Sequence, residues 1–182
     1  NDWVRSSVSY TLAANVEYLT LTVAGQIGTG NALANVMYGS LGADTFRGLG
    51  GNDILVGYGG NDRYEFGAGD GQDTVEDNSG SNDVLAFLAG ISHDQLWFSQ
   101  SGNNLQVSVI GTTDRVTVKN WYAGSANQVE RIQSGNGKEL LSNEVQNLVT
   151  AMSAFGARPA GSTTLTVAEH AALDGVIAAN WS

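Results

Sequence analysis

Three nine-residue blocks follow one another without a gap from residue 39 to residue 65, and they restrict the possible folds more than any other feature. They read GSLGADTFR, GLGGNDILV and GYGGNDRYE. Glycine stands at positions one and four of each block, aspartate at position six, and a large apolar residue at position eight, namely Phe46, Leu55 and Tyr64. A flexible linker has no reason to keep three residue types in phase, so the blocks predict an ordered repeat.

The spacing within a block predicts half a coil of a flattened solenoid. Glycine allows positive φ at a turn, and the triplet around position eight is long enough for a short strand with one inward side chain. Two blocks complete one coil, so Asp44 is expected beside Asp62, and Asn35 beside Asp53. Stacked carboxylates repel one another, and Ca²⁺, a hard cation that takes about six to eight oxygen ligands, relieves that repulsion.

The predicted calcium ligands lie in the turns. The expected carboxylate ligands are Asp44, Asp53, Asp62, Asp73 and Asp83. The expected main-chain carbonyl ligands are in the region of Gly42, Ala43, Gly51, Asn52, Gly60 and Asn61. Together these turns are expected to hold about two to four ions.

The blocks resemble the G-G-x-G-x-D-x-U-x repeat of the RTX (repeats-in-toxin) family. Position two departs from that pattern, because Ser40, Leu49 and Tyr58 stand where the family prefers glycine. The resemblance implies a parallel β-roll that binds calcium, in agreement with the coil and the cation that the spacing predicts.

The nine-residue phase also extends upstream of the regular blocks. Residues 30–38 keep it with Asn35 at position six, but Leu33 replaces the glycine at position four. Residues 1–38 are therefore interpreted as degenerate coils that cover the calcium-bearing ones.

Downstream, the phase slips by a two-residue insertion and then continues. Asp73 and Asp83 are the next candidates for position six, which predicts same-side pairs of Asp53 with Asp73 and of Asp62 with Asp83. Asp70 is an alternative to Asp73 as a ligand, and the sequence leaves that choice open.

Beyond residue 83 the glycine-rich turns give way to longer strand-like runs. These cover residues 84–88, 95–100, 104–110, 115–119 and 129–133. Residues 92–140 resemble the haemolysin-type calcium-binding-related domain that commonly follows RTX repeats. Such a domain is expected to act as a cap, because the end of a solenoid exposes sheet edges and an open core.

The cap carries four aromatic residues. They are expected to pack in its core, because two of them lie in an apolar-rich strand, and a sugar-binding platform is the alternative. The residues are Trp97, Phe98, Trp121 and Tyr122.

Two helices are expected near the C-terminus. Apolar residues recur at spacings of three and four within residues 139–155, and Thr166-Val167-Ala168-Glu169 is a capping-box pattern that opens a helix to about Ala179. Residues 157–164 between them are interpreted as a linker. The last twenty residues resemble the uncleaved C-terminal signal of proteins exported by type I systems, and an ordinary helix docked on the cap is the alternative.

The charge distribution argues against some partners. The formal net charge is −10 with only 8 Lys and Arg, which disfavours nucleic acid and anionic membrane surfaces. Nine of the 18 carboxylates fall between residues 44 and 83, so the acidity is local. No apolar run is long enough to span a bilayer, and no cysteine is present.

No catalytic residue and no organic cofactor is predicted. The two histidines, His93 and His170, are far apart in sequence, and neither H-E-x-x-H nor G-x-S-x-G occurs. Carboxylates in repeat register are better explained as metal ligands than as an acid and base pair. The chain is therefore not expected to be an enzyme.

These observations predict a mainly β fold. A parallel β-roll solenoid, with calcium between its turns, is expected over residues 1–83, with the calcium-binding coils over 39–83. A small β-rich capping domain is expected over 84–156, with one or two C-terminal helices, and a linker with a secretion-signal tail over 157–182.

The resemblance implies the calcium-binding C-terminal module of a larger bacterial protein that is secreted, either extracellular or at the cell surface. Its expected partners are calcium ions, the type I secretion apparatus and upstream domains of the same polypeptide. Two alternatives remain at this point: an adhesin-type or glycan-binding terminus, and the non-catalytic tail of a secreted hydrolase or epimerase.

Overall fold

Two parallel sheets face each other in the first half of the chain, which passes from one sheet to the other at every turn. The computed structural model describes residues 2–156 and 164–182. The strands of this part are β1 (Trp3–Ser6), β2 (Tyr10–Thr11), β3 (Tyr18–Leu21), β4 (Ile27–Thr29), β5 (Val36–Tyr38), β6 (Thr45–Arg47), β7 (Ile54–Tyr58), β8 (Arg63–Phe66), β9 (Gln72–Asp77) and β10 (Val84–Phe87). Odd-numbered strands form one sheet and even-numbered strands the other, so the predicted parallel β-roll is confirmed.

The register of the coils follows the repeat. Phe46 on β6 pairs with Tyr64 on β8, and Met37 on β5 pairs with Leu55 on β7. The residues at position eight point into the space between the sheets, as one inward side chain per short strand requires. Met37, Phe46, Leu55, Tyr64 and the equivalent Val75 are each 0% exposed.

The cap continues both sheets without interruption. Its strands are β11 (Leu96–Ser101), β12 (Asn104–Val109), β13 (Arg115–Val118), β14 (Arg131–Gln133) and β15 (Glu139–Leu141). β13 pairs in parallel with β9 and antiparallel with β12, while β14 pairs in parallel with β10 and antiparallel with β15. Both edges that the last coil would expose are therefore covered, and the apolar core runs on from the roll into the cap.

The expectation of one helix over residues 139–155 is wrong in its first part. Glu139–Leu141 forms β15, in which Leu140 pairs with Ile132, and α1 covers only Val145–Ser153. The apolar residues fit a helical period, but β14 needs a partner for its outer main-chain groups, and this tertiary demand decides the local structure. The linker expected at residues 157–164 lies outside the described residues, apart from Thr164.

The C-terminal helix α2 covers Val167–Asn180, close to the predicted range. Its capping box is formed in both directions, since Thr166 Oγ1 accepts the Glu169 amide at 3.2 Å and Glu169 Oε2 accepts the Thr166 amide at 2.6 Å. Beyond the helix, the Trp181 ring packs on that of Phe98, with ring centroids 6.2 Å apart.

The end of the chain is also tied to the cap by main-chain bonds. Ser182 and Glu139 exchange two backbone hydrogen bonds, of 2.9 and 3.0 Å, at β15. Among the described residues, no helix is long and apolar enough to cross a membrane.

Replacing Phe46 by alanine is expected to destabilise the calcium-loaded chain by about 3–5 kcal/mol, because the ring is fully buried and stacks on Tyr64 at a centroid distance of 5.5 Å. Urea unfolding followed by far-UV circular dichroism measures this loss. Leu41→Ala is the control, since Leu41 is 88% exposed and its loss should change the free energy of unfolding by less than about 0.5 kcal/mol. Equal losses in the two variants would contradict the inward placement of position eight.

Candidate metal centre

Main-chain amides and aspartate carboxylates form two hydrogen-bonded ladders, one along each edge of the roll. In the first ladder, which runs through Gln26, Asp44, Asp62 and Asp83, each amide donates to Oδ1 of the next aspartate, at 3.0, 2.8 and 2.6 Å. In the second ladder the Asn35 amide donates to Asp53 at 2.7 Å, and the Asp53 amide donates to Asp73 at 2.9 Å. The same-side pairs expected from the spacing are the pairs that the structure forms.

Two of the three glycines at position four have a backbone conformation that favours glycine. Gly51 and Gly60 have φ of 126° and 105°, which residues with a side chain rarely adopt. A Cβ added to Gly51 would lie 2.4 Å from the Leu33 carbonyl oxygen one coil earlier. Gly51 and Gly60 are therefore needed both for their φ and for the close approach of successive turns.

The backbone conformation at position two shows why the RTX pattern prefers glycine there. Leu49 and Tyr58 are both left-handed, with φ of 66° and 67°, at a cost of roughly 1–2 kcal/mol each. Ser40 is not left-handed, and its amide and its hydroxyl both donate to Asp44 Oδ2 at 2.8 Å. The substitutions at position two therefore leave the register of the turns intact.

Burial raises the pKa of three ladder carboxyls, those of Asp53, Asp62 and Asp73, well above the ordinary range. Asp53, Asp62 and Asp73 are at most 2% exposed. Loss of water raises the pKa of Asp53 and of Asp62 from 3.8 to about 7, and that of Asp73 to about 8. The amide of the preceding turn lowers each pKa in part, and neighbouring aspartates raise it further.

Two ladder oxygens are buried without any hydrogen-bond partner, namely Oδ2 of Asp53 and Oδ2 of Asp62. Each lies inside its own turn, against the glycine at position one. A Cβ on Gly48 would be 2.0 Å from Asp53 Oδ2, and a Cβ on Gly57 would be 2.2 Å from Asp62 Oδ2. A buried carboxylate oxygen without a donor is costly unless a cation or a proton neutralises it.

The donor set fits a hard cation that is bound mainly by the main chain. Among the described residues, no group of three or more His, Cys, Asp or Glu side chains is placed to hold a metal ion. Each turn instead offers one carboxylate together with its carbonyls, and calcium accepts such mixed oxygen ligands at flexible geometry. The position of the ladder aspartates suits that role, which remains a prediction for all the residues named from the sequence.

The expected carbonyl ligands lie in the ladder turns, and some of their groups already have partners. The carbonyl oxygen of Ala43 accepts the Gly25 amide at 2.6 Å. The side-chain oxygens of Asn52 and Asn61 accept amides of the following coil at 2.9 and 3.2 Å. The asparagine side chains at position five therefore tie neighbouring turns together, and only their main-chain carbonyls are candidates for the ion.

Asp73, rather than Asp70, occupies the ladder position. Asp73 accepts the Asp53 amide, while Asp70 bonds within its own loop, accepting the Gly67 amide at 2.6 Å. Asp70 still lies close enough to raise the pKa of both Asp53 and Asp73. The structure thus favours Asp73 as the ligand and leaves Asp70 as a neighbouring charge.

Three acidic residues near the ladders were not expected from the sequence to take part. Asp114 of the cap accepts the amides of Gly69 and Gly71, at 2.8 and 3.3 Å. Glu130 accepts the Asp83 amide at 2.7 Å, and Asp77 lies buried beside Asp83. They lie outside the nine-residue phase, so no spacing in the sequence marks them.

Three of the four aromatic residues of the cap lie in its core. Trp97, Phe98 and Trp121 are at most 5% exposed, in agreement with the expected core packing, while Tyr122 is partly buried and packs against the core. The roll carries a second group of rings on β1, β3, β5 and β7. There Trp3, Tyr18, Tyr38 and Tyr58 stack at centroid distances of 5.3 to 6.1 Å, and Trp3 and Tyr58 remain 59% and 43% exposed.

Comparison with known proteins agrees with this geometry. Residues 29–64 and 38–72 match the RTX calcium-binding nonapeptide repeat (4 copies), and residues 104–140 match the haemolysin-type calcium binding protein related domain. The chain thus carries RTX repeats followed by the related domain, as the resemblance in the sequence predicts.

One curated relative is the iron-regulated protein FrpA of Neisseria meningitidis serogroup C. The two chains are 36% identical over 92 residues, which is 47% of this chain and 8% of FrpA. The match therefore covers less than a tenth of the relative's length.

In calcium-free buffer the roll is expected to have more β structure at about pH 5 than at about pH 8. The pKa values of Asp53, Asp62 and Asp73 are raised to about 7 or 8 on folding, so the folded chain binds protons more tightly than the unfolded one. The resulting stabilisation is complete below about pH 4 and is lost as the pH rises through 7 to 8. Far-UV circular dichroism across this range measures it.

The double variant Asp53→Asn, Asp73→Asn is the control for that experiment. Neutral amides have nothing to titrate, so the pH dependence of the calcium-free chain should become flatter. A β signal that grows with pH in calcium-free wild-type chain would show that these carboxyls fold in their charged form, against the expectation from burial.

Proposed function

We propose that this chain is the calcium-binding C-terminal module of a larger secreted bacterial protein, which folds when it meets extracellular calcium and carries the protein through a type I export system. The module is proposed to have no catalytic role of its own. The activity of the whole protein would belong to the upstream domains.

The observation that carries the calcium proposal is the pair of buried carboxylate oxygens without partners, Asp53 Oδ2 and Asp62 Oδ2. They stand in the middle of the two ladders, at equivalent positions of successive blocks. When calcium is bound there, its charge replaces the protons that burial otherwise favours on these carboxyls. The aspartates would supply oxygen ligands and hold the turns in register, and the glycines would let the backbone come close.

The difference in calcium concentration between the cytosol and the exterior determines where the proposed module folds. Extracellular calcium modules have dissociation constants of about 10⁻⁴–10⁻³ M, far above the calcium level of the cytosol. Binding to the folded state alone contributes RT ln(1 + [L]/Kd), which is about 1.4 kcal/mol per site when calcium is ten times Kd and negligible inside the cell. Several coupled sites would make folding depend more steeply on calcium. The chain would then be unfolded before export and folded after it.

The export role is supported by the resemblance of the C-terminal tail to type I signals and by the match to RTX repeats. In the folded chain this tail is held by the cap, through the buried side chains of Leu173, Ile177 and Trp181. A transporter that reads the tail would therefore engage it before the cap folds. The great length of FrpA relative to its matching segment supports the existence of upstream domains.

Asp53→Asn is expected to raise the calcium concentration at the midpoint of folding at least about tenfold, equivalent to about 1.4 kcal/mol. Asp53 is the central member of the second ladder, bonded to the turns on both sides. The measurement is a calcium titration followed by far-UV circular dichroism. Asp94→Asn, which removes the same charge from an exposed position of the cap, should leave the midpoint unchanged. Coincident curves for Asp53→Asn and wild type would exclude Asp53 as a ligand.

A chain that ends at Glu76 is expected to fold poorly in calcium, although it keeps all three regular blocks. The truncation removes β10 and β13, which pair with β8 and β9, and so exposes both sheet edges and the core around Tyr64. Circular dichroism measures folding, and secretion of an upstream fused passenger measures export. A matched chain starting at Gly39 keeps the cap and should both fold and be exported. Full folding of the truncated chain would show that the cap is dispensable.

A further inference from the structure

The turn between β8 and β9 takes up the two-residue insertion that breaks the nine-residue phase. The strands on either side of it still pair in register with the preceding coil. Arg47 pairs with Glu65 before the turn, and Ile54 pairs with Thr74 after it. The extra residues are therefore accommodated in the segment between these pairs, which we call the insertion turn after its central residues 67–71, GAGDG.

The insertion turn obtains part of its hydrogen bonding from outside the roll. In a regular turn an amide donates to the aspartate of the same turn, as the Ser40 amide does to Asp44. Gly69 and Gly71 of the insertion turn have φ of 87° and 102°, which residues with a side chain rarely adopt. Every main-chain amide needs an acceptor, and these two glycine amides donate to Asp114 of the cap.

Both carboxylate oxygens of Asp114 hold the insertion turn. Oδ2 accepts the Gly69 amide at 2.8 Å, and Oδ1 accepts the Gly71 amide at 3.3 Å. Asp114 is 8% exposed, so water competes little for these bonds, and its charge strengthens them. A main-chain bond runs in the opposite direction, since the Arg115 amide donates to the Gly71 carbonyl oxygen at 2.9 Å.

Contacts within the cap fix the position of Asp114. The residue lies in the turn between β12 and β13, where its amide donates to Thr112 Oγ1 at 2.9 Å. Its carbonyl oxygen accepts the Val109 amide, also at 2.9 Å. The carboxylate is therefore held by a hairpin of the cap, and the glycine amides of the roll are arranged around it.

The insertion turn leads directly to the second ladder. Asp73, two residues after Gly71, accepts the Asp53 amide at 2.9 Å. Gly71 itself lies tightly against the preceding coil, since a Cβ there would be 2.0 Å from the Gly51 carbonyl oxygen. A displacement of Gly71 would therefore change both the position of Asp73 and the packing of the turn on the coil before it.

We propose that Asp114 is a positioning residue through which the cap controls calcium binding at the second ladder. Asp114 does not touch the ion in this arrangement. It fixes the insertion turn, which presents Asp73 as a ligand. The inference rests on the proposed function above, in which Asp73 binds calcium. The cap would then set the calcium affinity of the neighbouring turn, besides covering the edges of the sheets.

Asp114→Asn in the full chain is expected to raise the calcium concentration at the midpoint of folding by about three- to tenfold. The amide side chain has no charge, and its single oxygen cannot replace both carboxylate oxygens. Far-UV circular dichroism follows the titration. Asp114→Glu keeps the charge but displaces the carboxylate by one methylene, and it should shift the midpoint in the same direction. Thr113→Ala, an exposed change in the same hairpin, should leave the midpoint unchanged.

A second substitution separates positioning of the ligand from simple anchoring of the cap. If Asp114 acts through Asp73, adding Asp114→Asn to Asp73→Asn should move the midpoint little further. Added to Asp62→Asn, which affects the other ladder, it should move the midpoint by its full amount.

Three results would each overturn the proposal: an unshifted midpoint in Asp114→Asn, additive shifts in both backgrounds, or wild-type behaviour of Asp114→Glu. Additive shifts would assign Asp114 to anchoring alone, and a functional Asp114→Glu would assign the effect to charge alone. Failure of the underlying calcium proposal looks different, because wild-type chain would then show no calcium transition, and the inference would fail with it.

Discussion

The hydrogen bond from the amide of one turn to the carboxylate of the next coil is the interaction on which the roll depends. It recurs at the same place in each block, and it fixes both the stacking distance and the register of the short strands that follow. The same bond requires each ladder aspartate to be buried from water and stacked in a row with the other aspartates of its ladder. The groups that order the coils are therefore also the groups that make the calcium-free roll unfavourable, and both effects disappear together if the aspartate is removed.

The core alone gives little compensation for this cost. Each strand of the regular blocks contributes one large inward side chain, such as Phe46 or Leu55, between turns rich in glycine. Glycine loses more conformational entropy on folding than other residues, and a thin core offsets little of that loss. The cap differs, because its strands and α1 bring a denser set of buried residues, including Trp97, Phe98 and Met152. The two parts of one continuous core are thus expected to differ in how much they need a cation.

Much of the roll could be predicted because its elements recur at a constant offset. A glycine, an aspartate and an apolar residue in phase define the turn, the ladder and the inward side chain at once. The left-handed backbone of Leu49 and Tyr58 follows from the same phase, since both stand where the RTX pattern has glycine. The pairing of Asp53 with Asp73 survived a two-residue insertion because the ladder, rather than the spacing, selects the partner.

The sequence did not predict the contacts between residues whose separation along the chain does not follow the repeat. Glu130 reaches the first ladder only because β14 docks on β10, and nothing near it in sequence repeats. Residues 139–141 have apolar residues that fit a helix, and they form a strand because β14 offers an open edge. The local sequence gives no signal in the first case and favours the wrong element in the second, and in both cases strand pairing determines the structure.

The even spacing of the ladder has a mechanical consequence. A coil in the roll is bonded chiefly to the coils directly before and after it, 18 residues away where the blocks are regular. A force applied at the N-terminal end therefore loads the outermost coil first, and that coil can peel away while its neighbours keep their contacts. The roll would lengthen in steps of about one coil and yield gradually, whereas the cap, held by antiparallel hairpins and two packed helices, would resist as a single body.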